Sequence, residues 1–170
     1  ETKINLKNSG LLSALYKFEG SYNASGVIEN SVFKTEIYKQ IWKTRKKTKI
    51  VNMLIDNYLI ELTQEPLEEE FARINLEDLY FYFDPITSFI NILNGESEVK
   101  TVDGRRVYTL KRNYISKNGK IVLNIENYKN IWADHKRNDL KTIEFFVEDG
   151  LLPSKILIHF KERIFKVEKN

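Results

Sequence analysis

The sequence contains no cysteine, two histidines and one methionine among 170 residues. The missing cysteine excludes a disulfide framework, a thiolate metal site and a cysteine nucleophile, and leaves the redox compartment open. His135 and His159 stand far apart and in no metal-ligand spacing, so neither a metal nor a cofactor is expected. Long apolar runs are missing too. None approaches the roughly 20 residues of a membrane span. A dominant charge sign is absent: 27 basic and 24 acidic residues leave a formal +3, too small an excess to argue for nucleic acid. There is no nucleophile elbow, phosphate-cradling glycine loop or zinc-protease helix. The expectation is a protein that is not an enzyme.

What is present is globular material, 42% hydrophobic and 30% charged. The length suits a single domain over 1–170, burying about 70% of its unfolded surface. The first residue is Glu1 rather than Met, so either the chain was trimmed or a leader was removed.

The dominant pattern is alternation with a period of two, the signature of strands. Tyr108, Leu110 and Tyr114 share one face of a run; Val107, Thr109, Lys111 and Ile115 share the other. Ile121, Leu123 and Ile125 alternate likewise, as do Ile143, Phe145 and Val147, and Ile156, Ile158 and Phe160. Asp103-Gly104, Asn118-Gly119 and Asp149-Gly150 fall between these runs and are favoured hairpin dipeptides, because glycine accepts positive φ. The C-terminal half therefore reads as an antiparallel meander over 105–116, 120–131, 140–148, 154–161 and 163–168. At ~3.3 Å per residue the first strand is about 40 Å long, a length suited to a strongly curved sheet or barrel. Earlier strands are expected at 11–19, 32–42 and 49–62, with the tip "TRKKT" at 44–48, and a short helix at 68–73.

One helix is well signed. In "DPITSFINILNG", Asp84 is the N-cap and Pro85 the first helical residue. Ile86, Phe89, Ile90 and Leu93 follow at i, i+3, i+4 and i+7, and Asn94-Gly95 supplies the stop. So short a helix does not persist alone in water, and its apolar stripe must pack on a sheet.

Two basic features are candidates for anion or headgroup contact. One is the tip with Lys43, Arg45, Lys46, Lys47 and Lys49; the other is Arg105 and Arg106, beside the Asp103-Gly104 turn. Both also read as solvated charge at hairpin turns. The acidic stretch with Glu68, Glu69, Glu70, Glu77 and Asp78 matches no metal loop and reads as an exposed connection. The 21 aromatic residues, most of them expected in the core, are densest in the run "LYFYF" at 79–83, and a curved sheet lined by aromatics and aliphatics can hold an apolar ligand.

"DPITSFINIL" followed by "VDGRRVYTLKR" resembles a bacterial exported-protein family, the domain of unknown function 3108. Asp84, Pro85 and Ser88 fit its helix start, and Asp103, Gly104, Arg105, Arg106, Tyr108 and Leu110 fit its Asp-Gly-Arg-Arg run. "FFVEDGLLPSKILIHF" is similar to its last strands, so the resemblance spans about 65–168. It implies a periplasmic or otherwise exported bacterial protein of the cell envelope after signal cleavage. It also implies a mainly β fold, a half-open β-barrel of antiparallel sheet wrapped around one short helix, similar to lipoprotein-carrier folds. It implies no activity. The leading expectation is a non-enzymatic envelope binding module holding an apolar or lipid-like ligand in a concave sheet face, with Ile86, Phe89, Ile90, Leu93, Tyr108 and Leu110 as candidate linings. The alternative is a protein-interaction or assembly factor that docks an envelope protein partner and has no small-molecule ligand.

Overall fold

The computed structural model describes residues 1–7, 18–30, 32–67, 71–115, 119–132, 140–147, 153–160 and 162–168. The chain is mainly β, with two antiparallel sheets and one short helix. The first sheet contains β1 (Thr2–Lys7), β2 (Phe18–Glu29), β3 (Val32–Thr44), β4 (Thr48–Asp56) and β5 (Leu59–Glu65), side by side in chain order. The second contains β6 (Glu98–Val102), β7 (Arg106–Ile115), β8 (Lys120–Asn130), β9 (Leu140–Phe146), β10 (Lys155–Phe160) and β11 (Arg163–Glu168), also a meander. The helix α1 (Pro85–Leu93) lies in the connection between the sheets. Neither sheet closes on itself or curls strongly.

The meander of the second sheet follows the alternation in the sequence. Leu123 pairs with Ile143 and Ile143 with Ile158; Ile121 pairs with Phe145 and Phe145 with Ile156. Because cross-strand partners share a face, these side chains form one apolar layer. Gly104 and Gly119 have φ of +83° and +71°, as their hairpin turns require. Two register shifts interrupt the pairing of β7 with β8, between Val107 and Thr109 and between Arg112 and Tyr114. The second makes Asn113 an extra residue, so the single alternation expected through 106–116 does not continue past it. The 11–17 part of an expected strand, the Asp149-Gly150 turn, Asn118 and His135 lie outside the described residues.

Three expectations change in the first half. The single strand at 49–62 is two strands, β4 and β5, because Asn57 and Tyr58 both take positive φ, 47° and 66°. Positive φ at both central residues is type I′ hairpin geometry, here without the glycine that usually signals it. β2 went unread because Gly20, Ser21, Asn23, Ser25 and Gly26 give it weak strand propensity; pairing along both its edges with β1 and β3 supplies what propensity lacks. The helix expected at 68–73 begins outside the described residues, and 71–73 are irregular. The nearby helical element is one 3-10 turn, Leu76–Asp78, capped by the Asn75 side chain, which accepts from the Glu77 N–H at 3.1 Å.

The core is shared by both sheets. One apolar cluster joins Tyr38, Val51, Met53 and Ile60 of the first sheet to Val102 and Val107 of the second, with Ile86 of α1 among them. A second gathers Phe89 and Ile92 of α1 with Val99, Tyr108, Leu110, Leu123 and Phe145. The helix thus buries two apolar sides at once. Its remaining polar side is bolted down, as buried polar groups must be. The Asp84 carboxylate accepts from the N–H groups of Ile86 (2.9 Å) and Thr87 (3.1 Å), and from the Thr35 hydroxyl of β3. The Asn91 amide takes the Phe33 N–H at 3.0 Å and donates to the Phe33 carbonyl at 3.2 Å. The Thr101 hydroxyl of β6 donates to Ser88 Oγ at 2.8 Å.

Candidate ligand-binding groove

The inner face of the first sheet is only partly covered. Cross-strand pairs place Gln40, Val51 and Gln64 in one row, and Trp42 beside Lys49 in the next. Val51 is buried and Trp42 half-buried. Beyond Val51 the face opens into a groove of about 550 Å³. Its lining includes Gln40, Trp42, Val51 and Gln64 from the sheet, Lys46, Lys47, Thr48 and Lys49 from the β3–β4 hairpin, and Glu65, Pro66 and Leu67 at the end of β5. Arg105, from the β6–β7 turn, completes the lining from the second sheet.

Both cationic walls are held by local chemistry. At the hairpin tip the Thr44 hydroxyl accepts from the Lys46 and Lys47 N–H groups at 3.3 and 3.0 Å, and the Thr44 N–H donates to the Lys47 carbonyl at 2.8 Å. Such side-chain-to-backbone bonds set a turn without glycine. In the β6–β7 turn, Asp103 Oδ1 accepts from the Arg105 and Arg106 N–H groups at 2.9 and 2.8 Å. The Gly104 carbonyl accepts from Gln64 Nε2 at 3.2 Å and from the Trp132 indole at 3.0 Å. A Cβ on Gly104 would fall 2.3 Å from Val51 Cγ1, so the turn presses against the sheet at the groove wall.

These contacts separate the two arginines that the sequence presents as a pair. Arg106 lies 3.5 Å from the Asp103 carboxylate and 5.9 Å from the Tyr128 ring centre, while Arg105 lines the groove. Of the seven basic candidates, Lys46, Lys47, Lys49 and Arg105 converge on one groove; Lys43, Arg45 and Arg106 are not part of its lining. Lys43 follows Trp42 on β3 and so takes the opposite face. Deeper along the same inner face, burial pushes the Tyr22 hydroxyl up to about 12.

The six apolar candidates are elsewhere. Ile86, Phe89, Tyr108 and Leu110 are buried in the two core clusters, and Ile90 and Leu93 pack against them. The Phe89 and Phe145 rings meet at 4.2 Å. These side chains fill the space beside α1 and do not line the groove. Sequence reasoning missed Trp42, Val51, Gln64 and Leu67. Trp42, Val51 and Gln64 stand on three different strands and Leu67 just beyond β5, so only the register puts them together.

A smaller recess of about 340 Å³ lies near α1, lined by Phe81, Phe83, Asn91, Glu96, Glu98 and Lys100 among others. Phe81 has φ of 60°, and its ring rests 4.4 Å from Tyr58 and 5.1 Å from Tyr80. His159 Nε2 lies 3.1 Å from Glu144, which Lys120 also reaches at 2.8 Å. The Lys120 hydrogen bond holds the Glu144 carboxyl below its ordinary range. Among the described residues no cluster of three or more histidine, cysteine, aspartate or glutamate side chains is placed to hold a metal ion, and no helix is long and apolar enough to cross a membrane. No family model, curated protein or solved structure matches this chain.

Proposed function

We propose that this chain is a non-enzymatic binding module of the bacterial cell envelope, exported to the periplasm, that holds an apolar or lipid-like ligand on the open inner face of its first sheet. In this reading the two sheets act together as a half-open barrel around α1. The envelope placement rests on the resemblance of the Asp84–Leu93 and 102–112 motifs to the exported family. The observation that carries the binding reading is the groove itself. Its volume of about 550 Å³ lies within the roughly 300–1,000 Å³ of small-molecule sites, and an indole, a valine, a proline and a leucine give it carbon surface among eight polar or charged residues. Its position also accounts for the uncovered area: α1 fills one part of the space between the sheets and leaves another open.

The test is titration with a neutral naphthylamine probe whose emission rises in apolar surroundings. Saturable binding in the micromolar range, about −8 kcal/mol, is expected, and Trp42→Gln weakens it while the denaturation midpoint stays near that of the parent. Absence of saturable binding, or indifference to Trp42→Gln, overturns the reading.

A second reading, a protein-interaction or assembly factor, draws on a different observation. β11 is a sheet edge on which Ile164 and Phe165 are exposed, and such edges pair readily with another chain. It prevails if the probe does not bind and Phe165→Lys abolishes a stable complex with an envelope protein.

A further inference from the structure

The groove is not uniformly apolar, and its polarity has a direction. Trp42, Val51 and Leu67 offer carbon surface, while Lys46, Lys47, Lys49 and Arg105 bring four cationic side chains against one carboxylate, Glu65. The cations come from two walls that are remote in sequence. The Lys46 and Lys47 backbone is stapled by Thr44. Arg105 sits on a turn fixed by Asp103, by two hydrogen bonds to the Gly104 carbonyl and by contact with Val51. Lysines on one wall of a groove and an arginine on another suit a compact multivalent anion, because arginine binds oxyanions through paired N–H donors and lysines add point charge. The adjoining carbon surface suits a chain attached to that anion.

We infer that the groove takes a phosphate-bearing amphiphile, its phosphate held between the Lys46–Lys47 tip and Arg105 and its chain laid along Trp42 and Leu67. This rests on the proposed ligand-binding function and adds the class of head group. Arg105 and Arg106 then differ in role, since only Arg105 lines the groove while Arg106 lies beside Asp103.

Both tryptophans report on the site, Trp42 from the lining and Trp132 through its bond to Gly104. Intrinsic fluorescence of the whole chain is therefore followed during titration with dodecyl phosphate, with neutral dodecyl maltoside, both below their micelle concentrations, and with inorganic phosphate. Dodecyl phosphate is expected to bind about tenfold more tightly than the maltoside, as charge-assisted contacts to phosphate require. The preference should shrink as salt is raised from about 50 to about 500 mM, because salt screens the exposed lysines. The double variant Lys46→Gln/Lys47→Gln, altered only at an exposed tip, and Arg105→Gln each reduce the preference; Arg106→Gln leaves it in place; Glu65→Gln strengthens it. Equal, salt-independent binding of the two detergents overturns the inference and leaves the apolar binding function standing. Binding of neither overturns both. Inorganic phosphate binding as tightly as dodecyl phosphate overturns the amphiphile, since the chain would then contribute nothing.

Discussion

Asp84 is a fully buried carboxylate at the start of α1, and its replacement tests how the helix is anchored. Asp84→Ala removes an N-cap, at a cost of about 1 kcal/mol. It also strands the Ile86 and Thr87 N–H groups in the interior, while the Thr35 hydroxyl keeps only the Thr87 hydroxyl as partner, and an unsatisfied buried donor costs about 1–3 kcal/mol. Removing a desolvated charge offsets part of this. The expected net loss is about 2–4 kcal/mol, larger than a surface cap alone would give. Asp84→Asn keeps the acceptor and the shape and should cost about 1 kcal/mol or less.

The pH dependence separates charge from shape. Burial raises the Asp84 pKa above its ordinary value, outweighing the hydrogen bonds from Thr35, Thr87 and Ile86 that lower it. A carboxyl with a raised folded-state pKa binds its proton more tightly in the fold than in the unfolded chain. The stability tied to that proton is fully present below the unfolded value near 3.9 and is lost as pH rises through the folded value. Measured by urea denaturation, the parent should therefore gain stability relative to Asp84→Asn as pH falls from about 7 toward about 4, the other titrating groups cancelling in the difference. A pH-independent difference, or a parent that loses ground on acidification, refutes the reasoning. The hydrogen bonds and the helix dipole would then dominate desolvation.

Phe89→Ala should cost about 3–5 kcal/mol, since its ring packs on Phe145 in the second core cluster; a urea midpoint within about 0.5 kcal/mol of the parent, as for a surface site, refutes the packed helix. Gly104→Ala meets both an unfavourable φ and Val51, so it should lower thermal stability and weaken probe binding together; unchanged binding would detach the turn from the groove. Asn91→Leu leaves the Phe33 N–H and carbonyl without their side-chain partner and should cost about 1–3 kcal/mol in a denaturant melt. Leu110→Trp overfills a buried site and should lower stability by about 1–3 kcal/mol without acting at the groove; a selective loss of probe binding at full stability would return the site to the core beside α1.

What the sequence by itself determined is local. The cap and apolar spacing of α1 need only residues within three turns of one another, and Asp84, Pro85 and the 86–93 stripe predict the helix with its observed bounds. The second-sheet meander was legible because alternation and Asp-Gly or Asn-Gly turns act over neighbouring residues. The Asn57-Tyr58 turn was not: it reaches positive φ without glycine, and Tyr58 is held against Phe81 from a distant segment. The division into two sheets, the filling of the α1 surroundings by Phe89, Tyr108 and Leu110, and the polar bolts through Thr35, Asn91 and Thr101 were decided by tertiary structure. So was the groove. Each of its basic stretches looks like a solvated turn when read alone. Arg105 shares a groove with Lys46, Lys47 and Lys49 because Gly104 lets one sheet's turn press on Val51 of the other, a packing contact between residues more than fifty positions apart, which no local pattern encodes.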